Sequence, residues 1–250
     1  MEKRKVLTSL ISTGTFNDFT ETIFRLTEEK KSSYVCFANV HMVIEAYKDK
    51  NFNSILNEAD LAAPDGAPIS KVMWLIDKFK QERVCGMDLL PVLLREAAKR
   101  NKSVYFYGST EDVLNAMLKR IEAELPNLRV AGAYSPPFRT LTEEEDQHIV
   151  QTINQSKADL VFVALGCPKQ EKWMAAHKNK VNACMLGVGQ AFLVYAGLEK
   201  RLPQWARDLS LEWVYRLYLE PNRLWKRYLT TNSQFVYLCL KQKLGLIRFN

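Results

Sequence analysis

The chain has 250 residues, 47% of them hydrophobic, which is ample for a large core, and it contains no low-complexity segment or internal repeat. Five cysteines, Cys36, Cys85, Cys167, Cys184 and Cys239, lack C-x-x-C or Cys/His ligand spacing, so buried free thiols in a reducing cytosol are expected, not a disulfide framework. The net charge of +7 is concentrated at the end: from Tyr195 to Asn250 there are ten Lys and Arg against four Asp and Glu, which accounts for +6.

Met1-Glu-Lys-Arg-Lys is followed by too short an apolar run for a signal peptide. The nearest approach to a membrane span, Val181 to Leu198, is interrupted by glycines and reads as a buried strand and turn. A soluble or peripheral protein is expected.

Residues 4 to 11 read as a first strand, and Phe16 to Lys30 as a helix with Phe16, Phe19, Ile23, Phe24 and Leu26 on one face. Tyr34 to Ala38 is a second apolar run, ending at Asn39. A helix from about His41 to Asn57 leads to Leu61-Ala-Ala-Pro-Asp65-Gly66, and a helix near Ala67 to Phe79 follows. After the connection Glu82 to Asp88 comes a helix to Arg100, then a strand, Val104 to Tyr107, that ends at Gly108. Ser109-Thr-Glu-Asp112 resembles a capping box before a helix to Glu124. Arg129 to Tyr134 is a strand closed by Ser135-Pro-Pro-Phe138, and Thr142 with Glu145 caps a helix to Ser156.

Leu160 to Leu165 runs apolar without alternation, as a strand covered on both faces does. Gly166 ends it and Pro168 suits a first helical position, so the segment reads as strand, tight turn and helix N-terminus. A helix N-terminus carries free N–H groups and partial positive charge, which suit a phosphate. Cys184 to Val188 is the last core strand.

The alternation argues for an α/β fold, a mostly parallel sheet flanked by helices. Residues 1–195 form that core. Residues 196–250 form a basic, aromatic-rich helical appendage, with helices over Pro203 to Leu219 and Pro221 to Leu244 and three of the five tryptophans, Trp205, Trp213 and Trp225. Such a tail suggests an anionic surface, membrane or nucleic acid.

Asn39, Asp65-Gly66, Gly108, Gly166 and Gly187/Gly189 all end apolar runs, so in a parallel sheet they converge on one rim, where ligands bind. Asp65 there suits a general base, although the Asp-Gly dipeptide by itself reads first as a turn. Gly187-Val-Gly189-Gln-Ala-Phe192 half-matches the dinucleotide fingerprint, with Phe192 in place of the third glycine. No D-x-D pair exists to hold a divalent metal, and His41, His148 and His177 are scattered.

Taken together, the motifs resemble the WecG/TagA/CpsF family of bacterial glycosyltransferases. They are Asn39, Ala63-Pro-Asp65-Gly66, Glu82-Arg-Val-Cys-Gly86-Met-Asp88, Gly108, Ser135-Pro-Pro-Phe138, Leu165-Gly-Cys-Pro-Lys-Gln-Glu171 and Gly187-Val-Gly189. The series continues through Ala196-Gly197, Arg201-Leu-Pro203, Leu211-Glu-Trp-Val-Tyr-Arg216, Glu220-Pro221-Asn-Arg223 and Arg227-Tyr228. The resemblance implies a Rossmann-like α/β domain and inverting transfer of a sugar from a UDP-sugar to a polyprenyl-diphosphate-linked saccharide at the cytoplasmic membrane face, in teichoic acid, common antigen, capsule or exopolysaccharide assembly.

Carried over, it makes Asp65 the catalytic base with Asn39, Arg83 and Gln170 around it. The nucleotide would be held by Gly108, Tyr134, Gly166, Pro168, Lys169, Gln170, Glu171, Gly187 and Gly189. Arg207, Arg216, Arg223, Lys226 and Arg227 would meet the acceptor diphosphate or the membrane. No cofactor and no metal are expected, and the oligomeric state, homo-oligomer included, stays open. Two positions depart from the family pattern, Phe37 in place of Thr and Leu193 in place of Asp, which leaves the donor sugar open. The rival readings are an inactive membrane scaffold and a nucleic-acid-binding protein. The latter lacks a recognisable motif, so no nucleic-acid partner is expected.

Overall fold

A computed structural model describes residues 1–29, 32–200, 202–203, 205–206, 212–219 and 221–247. Six parallel strands form the main sheet: β3 (Ser33–Ala38), β4 (Leu61–Pro64), β5 (Ser103–Gly108), β6 (Arg129–Tyr134), β7 (Leu160–Ala164) and β8 (Cys184–Gly187). Their order across the sheet is β4-β3-β8-β7-β5-β6. The unbroken apolar runs of the sequence follow from burial on both faces, with successive side chains alternating between two cores. In β7, Leu160 and Phe162 enter one core while Val161 and Val163 enter the other. In the first core Phe106 stacks on Phe162 at 5.7 Å and meets Phe192 edge-on at 5.6 Å. Truncating a fully buried Phe such as Phe162 costs about 3–5 kcal/mol.

Helices α1 (Phe16–Glu28), α5 (Gly86–Lys99), α6 (Glu111–Glu124) and α9 (Ala191–Tyr195) cover the Phe162 face, through residues such as Phe19, Leu93, Met117 and Phe192. The opposite face carries α2 (Val40–Lys48), α3 (Lys50–Asn57), α4 (Ala67–Asp77), α7 (Glu143–Ser156) and α8 (Lys169–Ala176). Beyond the core, α10 (Glu212–Leu219) precedes the long α11 (Pro221–Lys243). The second half of α11 buries Phe235, Leu238 and Cys239 in the α2–α4 side of the core and packs against both of those helices. Gln242 anchors it further by accepting from the Leu7 N–H at 3.1 Å. All five cysteines are free thiols, with Cys36, Cys85, Cys184 and Cys239 buried.

Five local expectations are corrected. The first strand is a hairpin outside the main sheet, β1 (Lys3–Val6) paired antiparallel with β2 (Ser9–Ser12). Its turn runs through Leu7 at φ +55°, with no Gly, Asn or Pro to mark it. The helix from His41 breaks into α2 and α3, because the Asp49 carboxylate accepts from the N–H groups of Asn51 (2.9 Å) and Phe52 (3.2 Å) and starts a new helix. Thr110, not Ser109, caps α6, and no capping box forms; Ser109 takes a left-handed φ of +63°. Gly86 to Asp88 is the first turn of α5, not a connection. Pro168 stands one residue before α8, after a cis Cys167–Pro168 peptide.

Candidate active site

Because the main strands are parallel, their carboxyl ends share one rim. Across it lie Asp65-Gly66 (after β4), Asn39 (after β3), Gly187–Gly189 (β8), Gly166–Glu171 (β7), Gly108-Ser109 (β5) and Tyr134 (β6). Neighbouring strands are about 4.8 Å apart, so Asp65 is about 14 Å from the β7 turn and about 24 Å from Tyr134. The rim residues found in the sequence are therefore neighbours in a row, and not one point.

At the β4–β3 end, Asp65 N–H donates to Ala38 O at 3.0 Å, which fixes the Asp65 turn against the end of β3. Val84 N–H donates to Pro64 O at 3.0 Å and lays the segment carrying Arg83 along the end of β4. The Arg83 guanidinium pairs with Asp88 at 2.7 Å. Asn39 caps α2, its Oδ1 accepting from Met42 N–H at 3.1 Å. Phe37 is buried beneath this end, and a Cβ on Gly86 would stand 3.5 Å from its ring.

The middle of the rim is a seam built by Gln170. Its Nε2 donates to Gly187 O (2.8 Å) and to Glu171 Oε1 (2.7 Å), and its Oε1 accepts from Gly166 N–H (3.2 Å). Both ends of the amide are thus spent on tying the β7 and β8 turns together. A Cβ on Gly187 would come within 2.7 Å of Met174 Cε and 3.1 Å of Gln170 Nε2, so any larger residue here would push those side chains aside. Glu171 is fully buried, and desolvation pushes its carboxyl up to about 7. Its Oε2 makes no hydrogen bond among the described residues. The neighbouring Cys167 thiol is pushed up by its own burial and by Glu171.

The β7–β5–β6 end is a cleft of about 530 Å³. Tyr107, Ser109, Leu165, Lys169 and Trp173 form its inner side, and Pro136 to Glu143 and Asp146 its outer side. Trp173 packs on Tyr107 with ring centroids 4.6 Å apart, and Tyr107 stacks on Tyr134 at 6.3 Å. The outer loop is anchored at both ends. Ser135 Oγ donates to Ser109 O at 2.8 Å, and Arg139 grips Glu145 through two bonds of 2.6 and 2.7 Å. The Arg139 and Thr142 bonds hold the Glu145 carboxyl down at about 2. Gly108 lets β5 approach β7 here, because a Cβ would lie 2.5 Å from Ala164 O.

Of the nucleotide residues expected from sequence, Lys169 lines this cleft, Gly108 borders it and Tyr134 backs Tyr107, while Gln170, Glu171, Gly187 and Gly189 belong to the seam. Sequence reasoning missed Tyr107, Arg139, Asp146, Trp173 and the structural partnership of His177. A bulky aromatic closing an apolar run at the rim, as Tyr107 does, was the available signal. Arg207 lies outside the described residues, as do the side chains of Arg216, Arg223, Lys226 and Arg227. Among the described residues, no three His, Cys, Asp or Glu side chains gather as metal ligands would, and no helix is long and apolar enough to cross a membrane.

The model of the glycosyl transferase WecG/TagA/CpsF family matches residues 4–248. The chain is 34% identical over 207 residues to the N-acetylglucosaminyldiphosphoundecaprenol N-acetyl-beta-D-mannosaminyltransferase of Bacillus subtilis (strain 168), covering 81% of this chain and 77% of the relative. The equivalently named protein of Bacillus spizizenii is 33% identical over 217 residues, 86% of this chain and 82% of its own. That of Staphylococcus aureus (strain NCTC 8325 / PS 47) is 28% identical over 223 residues, 88% and 84% respectively. With the family's rim motifs brought side by side on a parallel α/β sheet, the chain belongs to the WecG/TagA/CpsF family of glycosyltransferases.

Proposed function

We propose that this protein transfers a sugar from a UDP-sugar to a polyprenyl-diphosphate-linked saccharide, with inversion and without a metal ion, at the inner face of the cell membrane. N-acetylmannosaminyl transfer to N-acetylglucosaminyl-diphosphoundecaprenol, the reaction in the relatives' names, is the first substrate pair to test. The observation that carries the reading is the shared rim: a carboxylate turn at one end, an aromatic cleft at the other and a glycine-lined seam between.

In this reading the uridine occupies the cleft. The diphosphate crosses the β7 and β8 turns near Lys169 and the start of α8, and the sugar points toward Asp65. Asp65 takes the proton of the acceptor hydroxyl as that oxygen attacks the anomeric carbon from the face opposite the diphosphate, which inverts the centre. Negative charge on the departing UDP is met by Lys169, by the α8 N-terminus and by arginines of the C-terminal segment. Gln170 holds the seam, and Asn39 and Arg83 shape the Asp65 end. Metal independence is supported by the supply of cations and by a sequence that carries no D-x-D pair.

Attachment to the membrane is supported by α11, which is apolar on two sides. Phe235, Leu238 and Cys239 face the core, while Trp225, Leu229, Val236 and Leu240, spaced at four and seven residues, are exposed on another stripe. We assign residues 196–250 to this role and to completing the site, and residues 1–195 to the donor-binding core. Thermal unfolding with UDP and a series of UDP-sugars tests the donor assignment. A true ligand at 100 times its dissociation constant stabilises by about 2.7 kcal/mol. Absence of protection by UDP and by every UDP-sugar would reject it.

A further inference from the structure

The cleft assigned above to the nucleoside has a width, and a residue outside the family motifs sets it. Its inner wall is Trp173 on α8, and its outer wall is the loop 135–142 that leads into α7. Asp146, in the first turn of α7, joins the two. Its Oδ1 accepts from the Trp173 indole N–H at 3.0 Å, and its Oδ2 lies 2.7 Å from His177 Nε2. The other imidazole nitrogen, Nδ1, lies 2.7 Å from the Trp173 carbonyl oxygen one helical turn back. The imidazole also stacks on the indole at 4.3 Å. Carboxylate, imidazole and indole therefore form a closed circuit that leaves the Trp173 ring little freedom, with Tyr107 against it from the sheet.

The circuit reaches the outer wall as well. Arg139 and Thr142 bind Glu145, so the end of the loop moves with the first turn of α7, and Asp146 ties that same turn to Trp173. The far end of α7 is held separately, where Asn154 Nδ2 donates to Lys180 O at 2.8 Å. Helix packing thus has its own tie, and the Asp146 tie acts at the cleft. The imidazole is also costly to place here: His177 is 4% exposed, and burial of a polar group is repaid only when it is bonded.

We propose that Asp146, acting with His177, is the positioning residue for the donor nucleotide: the pair holds Trp173 and the loop 135–142 at a fixed separation, so the flat base enters a preformed slot. The proposal rests on the reading that the cleft takes the nucleoside. Preformed walls lower the ordering cost of binding, so the effect falls on donor affinity and not on the chemical step.

The test uses the full chain with UDP as probe, read by calorimetry and by tryptophan emission, together with steady-state kinetics. In the wild type UDP binds and changes the emission, and Trp173→Phe removes that change. Asp146→Ala weakens UDP binding about tenfold and raises the donor KM in parallel, with kcat and the acceptor KM within about threefold. Asp146→Asn keeps an acceptor for the indole N–H and falls between the two, so it carries the test if the alanine variant does not fold. A folded Asp146 variant that binds UDP as wild type does, or that loses kcat while keeping donor KM, overturns the positioning role alone. Failure of the wild type to bind UDP overturns the donor reading, and this proposal with it.

Discussion

The two ends of the rim are built differently. The β7–β5–β6 end is closed and braced: aromatic rings in contact, a loop pinned at both ends, and Asp146 spending both oxygens on neighbours. The β4–β3 end is held by backbone bonds at short turns, Asp65 N–H to Ala38 O and Val84 N–H to Pro64 O, together with the Arg83–Asp88 pair and the Asn39 cap. It is also the end from which α2 and α4 start, and α11 packs on both of those helices. Under the proposed function, the braced slot suits a soluble nucleotide, and the end that bears α2 and α4, on which α11 packs with its exposed apolar stripe, suits an acceptor arriving from a membrane surface.

The sharpest way to break this division is Asp65→Asn. Turnover should fall by about 10²–10⁴ while UDP affinity stays within a few-fold, measured by transfer assay and calorimetry on the same preparation. Equal losses in both would show that the ends are not separate.

The seam offers a second lever through Glu171. The folded protein keeps this proton up to about pH 7, whereas the unfolded chain releases it near 4.5, so stability from this group is full below about 4.5 and is lost as pH rises to 7. The loss amounts to about 3 kcal/mol. Urea unfolding at pH 5 and pH 8 should show this fall in the wild type and a much flatter response in Glu171→Gln; identical pH responses would remove Glu171 as its cause.

On the exposed stripe of α11, replacing Leu229 and Leu240 by Ser should weaken binding to anionic vesicles about tenfold, judged from the apolar area lost, and leave UDP affinity unchanged. Arg223→Glu with Arg227→Glu should do the same in a salt-dependent manner, at about 1 kcal/mol per basic residue. Vesicle binding that ignores all four changes would move the membrane surface elsewhere. The smallest expected effect is from excess EDTA, which should leave transfer unaltered; loss restored by Mg²⁺ would overturn metal independence.

Much of the molecule was legible in the linear pattern. Strands buried on both faces write unbroken apolar runs such as Leu160 to Leu165, and the residues ending those runs lie on the rim because parallel strands end together. The hairpin escaped because its turn at Leu7 uses no turn residue, and the α2–α3 break because one cap, Asp49, sits in an ordinary charged stretch. The cleft escaped for another reason: Tyr107, Asp146, Trp173 and His177 come from three elements, and nothing in local spacing links them.

Fold class, rim turns and family were therefore readable along the chain, since periodicity, turn residues and motif order are properties of neighbours in sequence. Tertiary structure alone decided how the rim is divided. Strand order placed Asp65 and the aromatic cleft at opposite ends, because crossover connections set which strands become neighbours. Packing also decided that Gln170 is spent on the seam, since its partners Gly166 and Gly187 belong to different strands. And it decided that α11 turns one apolar stripe to the core and leaves another exposed, because a helix can bury only the face that its neighbours cover.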